Sequence, residues 1–451
     1  MKSLLPEYLK QGEPARLFPV LSNTSKEGRT TSIVLACISK IDEFSNELLS
    51  SIGQKVGKTS KIETYTEVVF NKELEDRSRP DGLIVLKVGK RSWSALVEAK
   101  VGSAELLEEQ IERYRALAKN NKIDAVITIS NQFTTEPANH PIRSVRKKRS
   151  SIPVYHWSWM YLLTVTDLMT SNASVKDEDQ AVLMNELRRF LSHESAGVRG
   201  FDRMPSEWVE LNKQVASSAP IPAKSENAQI VLEAWHQESK DLSLILTRQT
   251  ETKVTQRLAR KHVNSPSQRL KDEFSVLKEH MQLKSTYDLS DAAAPIDVCA
   301  DILRRTIEVG MTLRAPEDKV SAVARVNWLL RQIKTEQVAN LYFKLHWPGA
   351  SAPTVFSYDE LKANSKIVEE GKEGLKLLSI TAFNSYRTGA RFAQRNNFIT
   401  DLEEYVPTFY ADVGQHLSAW KKKAPQIKEQ KRTASEVSVQ AISEDANDDA
   451  L

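Results

Sequence analysis

RPDGLIVLKVGKRSWSALVEAK, residues 79–100, is the stretch on which the reading of this chain turns. Leu83 to Val88 is an apolar strand candidate, Gly89-Lys90 supplies a turn, and Ser92 to Lys100 reads as a second strand, so the two form a hairpin. Successive strand side chains point to opposite faces, which puts Leu96, Glu98 and Lys100 on one side. Asp81 opens the first strand beside Gly82, whose missing Cβ lets the backbone turn sharply. Antiparallel pairing of 83–88 with 93–98 then brings Asp81 near Glu98 at one edge of the hairpin.

A bare Glu-x-Lys is common, and alone it describes a solvated pair on an edge strand with Asp81 as a turn residue. Context argues for more. Leu96 and Val97 precede Glu98 in a central-looking strand, where a charge is costly unless paired or liganded. Two carboxylates with a lysine in short reach suit a hard divalent cation such as Mg²⁺, bound through Asp81, Glu98 and the Ala99 carbonyl. Lys100 would orient or help deprotonate an attacking water and screen charge growing on a phosphate. Without metal the two acids repel, and one tends to hold a proton. Gln110 and Tyr114 lie four apart on one helix face, placed to brace the lysine and touch a phosphate oxygen.

Outward from the hairpin, Thr31 to Ser50 has helical spacing in Val34, Ile38, Ile41 and Leu48. Ile62 to Phe70 is rich in Val, Thr and Tyr and predicts a strand. A helix is expected over about 104–119, then strands at Asp124–Ser130 and Ile152–Trp157 whose lack of strict alternation marks central positions. The order is helix, three strands, helix, strand, loop, strand: an α/β sandwich with a mixed sheet, closing near residue 165.

On Pro80-Asp81, Glu98-Ala99-Lys100 and this element order, the chain resembles the PD-(D/E)xK nuclease superfamily, and Gln110 with Tyr114 resembles the QxxxY helix motif of its RecB-like branch. The RPDGLI and ALVEAK runs look like those of uncharacterised bacterial members. The resemblance covers roughly residues 30–165. It implies a restriction-endonuclease-like core, with Asp81 and Glu98 as metal ligands, Lys100 as the catalytic lysine, and Mg²⁺ (Mn²⁺ substituting) as cofactor. Many members add an acid on the first core helix. Glu43 and Glu47 are candidates here, and Glu67 on the first strand is slightly favoured because a strand carboxylate there would face the same crevice.

Beyond the core, residues 166–223 read as a helical connector and linker, with Asp179–His193 clearly helical and Ala216–Ala223 rich in Ser, Ala and Pro. Residues 224–422 read as an α+β domain with a regulatory, specificity or partner-binding role. Within it, Ile230–Trp235 is read as helix, Leu242–Thr247 as strand, 296–313 as a hairpin, Pro316 to about Ile333 as helix, and Leu402 to Lys422 as a last helix. The polar, terminally acidic stretch 423–451 is expected to be a disordered tail.

Arg143, Arg146, Lys147, Lys148 and Arg149 crowd a loop before the strand at Ile152 and would suit a phosphate backbone, though a solvated basic loop is equally ordinary. Tyr155, His156, Trp157 and Trp159 are offered as stacking residues, with core packing favoured. Lys319, Arg325 and Arg331 mark a second basic face, with a solvated helix side favoured.

Lys plus Arg is 63 against 59 Asp plus Glu, a formal charge of +4, so any nucleic-acid footprint must be local. Two cysteines, Cys37 and Cys299, exclude a disulfide scaffold and read as buried thiols of a reducing compartment. No apolar run approaches the roughly 20 residues of a membrane span, and no signal-peptide core is present, so a cytoplasmic protein without membrane contact is expected. No GxxxxGK[ST] loop supports an ATP motor. The leading expectation is a Mg²⁺-dependent (deoxy)ribonuclease, an endonuclease acting on DNA. The alternatives are a catalytically silent nucleic-acid-binding or defence-complex subunit, with a protein partner on the C-terminal domain, and a purely structural protein. Homo-oligomerisation is left open.

Overall fold

The computed structural model describes residues 6–17, 26–57, 59–71, 79–134, 136–334, 340–349 and 351–422; the expected tail at 423–451 lies outside them. In chain order the first part runs β1 (Leu9–Pro14), α1 (Lys26–Lys40), α2 (Asp42–Ser51), β2 (Lys61–Phe70), β3 (Gly82–Val88), β4 (Arg91–Ala99), α3 (Glu108–Asn120), β5 (Ala125–Ser130), α4 (Arg143–Lys147), β6 (Val154–Ser158), α5 (Trp159–Ser171) and α6 (Glu178–Ser192). Its six strands lie in the sheet in chain order, antiparallel from β1 to β4 and parallel from β4 to β6. The sheet is therefore mixed, as its strand compositions predict.

Both faces are covered. Ile84, Leu86, Ala95, Val97 and Ile127 pack against α1, α2, α5 and α6, while Leu83, Val85, Leu96 and Val126 pack against Ile111, Tyr114 and Leu117 of α3. Burial on two sides explains why β5 is mostly apolar and buried along its whole length. Each fully buried Leu or Ile contributes roughly 1.5–3 kcal/mol. The expected helix over 31–50 is two helices, because Ile41 is extended at φ −118° and ψ 108°. β1 was not foreseen: its short, mostly exposed edge has only Leu9 buried, too little pattern to mark a strand.

The second part runs α7 (Glu207–Ala216), α8 (Glu226–Thr250), β7 (Val254–Gln256), α9 (Arg260–Asn264), α10 (Pro266–His280), β8 (Gln282–Leu289), β9 (Ile296–Asp301), β10 (Thr306–Arg314), α11 (Ala322–Leu330), β11 (Leu341–His346), β12 (Thr354–Ser357), α12 (Tyr358–Ala363), β13 (Ser379–Arg387) and α13 (Arg395–Asp412). Its seven strands form an antiparallel sheet of order β12-β11-β13-β10-β9-β8-β7. Trp208 of α7 and Trp235 of α8 join this sheet's core.

The hairpin at 296–313 forms with Thr306 opposite Asp301. Leu242–Thr247 is not a strand but the C-terminal part of α8, where Leu242, Ser243, Leu244 and Leu246 are all buried. A helix buried all round loses its 3.6-residue signature, so a short apolar run reads equally as strand. The helix expected from Pro316 starts later, at Ala322, with Ser321 as its N-cap accepting from the Ala324 N–H, and Val320 before it is 94% exposed. The last helix begins at Arg395 and ends at Asp412, earlier than expected at both ends. No helix among the described residues is long and apolar enough to cross a membrane. Cys37 is buried and Cys299 half-buried, and burial pushes their thiols up to about 12 and about 11.

Candidate active site

Register builds the site. Gly82 pairs with Val97, so Asp81 stands opposite Glu98 at the end of the β3–β4 hairpin. Asp81 Oδ2 accepts a 2.8 Å hydrogen bond from the Ala99 N–H, which fixes the carboxylate against the last residues of β4. A Cβ on Gly82 would run into Leu35 Cδ1 and lie 3.0 Å from the Tyr65 carbonyl oxygen, so only glycine lets this edge close onto α1 and β2.

Strand alternation places Glu98 on the α3 side of the sheet. Its side chain is 2% exposed. Oε1 accepts from Lys100 Nζ at 2.6 Å and from Gln110 Nε2 at 2.6 Å. Oε2 is buried and has no hydrogen-bond partner among the described residues. Gln110 and Tyr114, one turn apart on α3, are also linked, Nε2 to hydroxyl at 3.1 Å. The Tyr114 hydroxyl donates to the Arg79 carbonyl at 3.1 Å and so ties the helix to the segment leading into Asp81.

Lys100 Nζ donates to Glu98, to Glu27 Oε1 at 3.0 Å and to the Ala99 carbonyl at 3.2 Å, using all three of its hydrogens. Behind it, Trp159 Nε1 donates to the Lys100 carbonyl at 2.7 Å. The first residue of α5 thus holds the lysine's backbone.

The electrostatics follow from this crowding. Burial, then the Glu98 charge, push the Asp81 carboxyl up to about 8, against the lowering effect of the Ala99 N–H and Lys100. Glu98 is also raised, by burial foremost, with Lys100 opposing. Burial alone would lower Lys100, but the Glu98 hydrogen bond and charge outweigh it and hold the ammonium above the ordinary lysine range. Burial and the Glu98 charge raise Tyr114, so it stays a neutral donor.

The structure therefore brings together Asp81, Glu98, Lys100, Gln110 and Tyr114. Glu67 follows Thr66, which pairs with Gly82, so its backbone stands across from Asp81; it has φ +55° where β2 gains an extra residue against β1, and its carboxylate pairs with Arg79 rather than with Lys100. Glu43 accepts from the Lys176 N–H, and Glu47 lines a separate cavity with Tyr161 and Lys240. Neither is among the partners of Lys100. The helix acid that does reach the lysine is Glu27, which sequence reading passed over because the helix was started at Thr31. The signal was there: Glu27 precedes Thr31, Val34 and Ile38 at four- and three-residue spacing on one helix stripe.

Several of the neighbouring basic and aromatic residues are engaged within the fold. Residues 143–147 form α4 rather than a loop, with Arg143 and Arg146 both paired to Glu233 and Lys148 to Glu112. Trp157 and Trp159 are core residues, and His156 sits between Thr128 and the Gln132 carbonyl with its pKa lowered by burial to about 4. Arg325 is 3% exposed and donates to the Lys319 and Leu377 carbonyls, so it presents no basic face.

Asp81, Glu98 and the Ala99 carbonyl are all-oxygen donors of the kind a hard cation takes. Two acids with raised affinity for protons, one carrying a buried oxygen without a partner, make a site short of positive charge. Among the described residues no group of three or more His, Cys, Asp or Glu already converges on a common point. A cation here would complete its shell with water or a ligand's oxygens. Compared with known protein families, characterised proteins and solved structures, the chain matches none.

Proposed function

We propose that this chain is a divalent-metal-dependent nuclease that hydrolyses phosphodiester bonds in DNA, on a core of the restriction-endonuclease-like kind. One observation carries the reading: Glu98 Oε2 is buried and unpartnered beside Asp81, while Oε1 is saturated by Lys100 and Gln110. Burying a carboxylate oxygen without a donor costs about 1–3 kcal/mol or more, a cost that a bound cation offsets. Mg²⁺, or Mn²⁺ in its place, would reach Oε2 once the groups enclosing it, the nearby Tyr114 hydroxyl among them, move aside, with the Lys100 and Gln110 bonds to Oε1 left in place.

When bound, Mg²⁺ supplies acidification of water and neutralisation of phosphate charge. The chain's own residues do the positioning. The Ala99 N–H orients Asp81, and Gln110 orients Glu98. Lys100 is held charged, so it would stabilise charge on the phosphate rather than accept a proton. It would orient an attacking water only by giving up one of its three present bonds, the longest being the 3.2 Å bond to the Ala99 carbonyl. Glu27 and Trp159 are positioning residues for that lysine.

The test is cleavage by the full-length chain with Mg²⁺ or Mn²⁺ of duplex, single-stranded and branched DNA and of RNA. At least one DNA form should be cut, and Asp81→Ala, Glu98→Ala and Lys100→Ala should each lower the rate by about 100-fold or more. Metal-dependent cutting that survives all three substitutions overturns the assignment. Salt-sensitive DNA binding with no cleavage under any metal would instead favour a catalytically silent binding subunit.

A further inference from the structure

A cavity of about 680 Å³ lies between α4 and the helices α8–α10, away from the hairpin. Arg269 lines it and is 3% exposed. Its Nε donates to Glu273 Oε1 at 2.7 Å, but Nη1 and Nη2 are buried without a hydrogen-bond partner among the described residues. Glu273 meets only the Nε side of the guanidinium, and its Oε2 is bonded to His236 Nε2. Both Nη groups are also enclosed, so a small outward shift of the guanidinium, still held through Nε, would bring a fork that matches two oxygens of a phosphate to the cavity wall.

The walls agree with this chemistry. Arg143, Arg146, Lys147 and Lys271 line the same cavity, outnumbering Glu136 and Glu233. Glu233 is engaged by Arg143 and Arg146, which leaves the exposed Lys147 and Lys271 as further cations. Leu270 and Phe274 supply an apolar side. The volume falls in the range of roughly 300–1,000 Å³ that encloses a small organic ligand.

We propose that this cavity binds a nucleoside monophosphate group, its phosphate on Arg269 and its base against Phe274. The group would come either from a free nucleotide or from the 5′-phosphorylated end of a strand. The assignment is independent of the chemistry proposed at Lys100.

Binding is measured by calorimetry on the full-length chain in EDTA, with adenosine 5′-monophosphate, adenosine, a 5′-phosphorylated oligonucleotide and its 5′-hydroxyl counterpart. A phosphorylated probe should bind while its unphosphorylated counterpart does not. Binding by the mononucleotide identifies the free source, and binding by the phosphorylated strand alone identifies the strand end. Arg269→Gln should abolish binding. Because that change touches a buried ion pair, the surface double variant Lys147→Gln/Lys271→Gln is the second arm and should weaken binding about tenfold or more. Glu98→Gln should bind as wild type, so failure here is separable from failure of the nuclease reading. The proposal is overturned if no phosphorylated probe binds at about 10 mM, if unphosphorylated probes bind equally well, if the double variant binds as wild type, or if Glu98→Gln weakens binding to the same extent.

Discussion

Burial and the facing Glu98 charge push the Asp81 carboxyl up to about 8 from a model-compound value of 3.8. The folded chain then holds this proton more tightly than the unfolded chain does. Asp81's share of stability is complete below about pH 4 and is lost as pH rises through about 8. In metal-free protein, Asp81→Asn should therefore raise the Tm at pH 8 and flatten the fall in Tm between pH 4 and 8. Thermal melts across that range check this, and parallel curves for the two proteins would contradict it. At this scale much of the candidate site was legible. Period two joined Glu98 to Lys100, a four-residue helical step joined Gln110 to Tyr114, and turn chemistry marked Asp81. Glu27 was not legible as a partner because its contact with Lys100 spans 73 residues of sequence and exists only once α1 packs on the sheet.

Elements matter here through what they press against the hairpin end. Gly82 allows β3 to pass Leu35 and the Tyr65 carbonyl, so Gly82→Ala should cost about 1–3 kcal/mol in denaturant unfolding. An unchanged midpoint would show that the strand edge is looser than described. At the start of α5, Trp159 Nε1 caps the Lys100 carbonyl. Trp159→Phe keeps most of the apolar volume and removes that bond, with an expected stability loss of about 1 kcal/mol. The turnover loss should exceed that of the Gly82 variant when both are assayed at matched folded fractions. Arg325 gives a contrast, since sequence spacing allowed it a basic face and packing made it a buried carbonyl clamp. Arg325→Met should cost about 2–3 kcal/mol while leaving DNA affinity unchanged. Burial also hid the C-terminal part of α8, where Leu242 to Leu246 lost the helical periodicity that sequence reading uses, while Ile230–Trp235 in its first half reads as helix.

Across the whole molecule, a mixed six-stranded sheet and an antiparallel seven-stranded sheet each carry their own helices. The six-stranded sheet follows from strand patterns legible in the sequence apart from its short edge strand β1, whereas of the seven-stranded sheet only the β9–β10 hairpin was legible, and β7, β8, β11, β12 and β13 were not. Contact between the two parts was not legible, because Arg143 and Arg146 read as a solvated basic run until Glu233 of α8 came into register with them. With a formal charge of only +4, the molecule has no broad positive field, and its proposed chemistry rests on local charge at the hairpin end. The most direct check is a calorimetric Mn²⁺ titration of the full-length chain, wild type beside Asp81→Asn/Glu98→Gln. The expected result is one Mn²⁺ per wild-type chain at this site, lost in the double variant while far-UV circular dichroism is unchanged. Equal Mn²⁺ binding by both proteins, or none by the wild type, would contradict a cation held between these two acids.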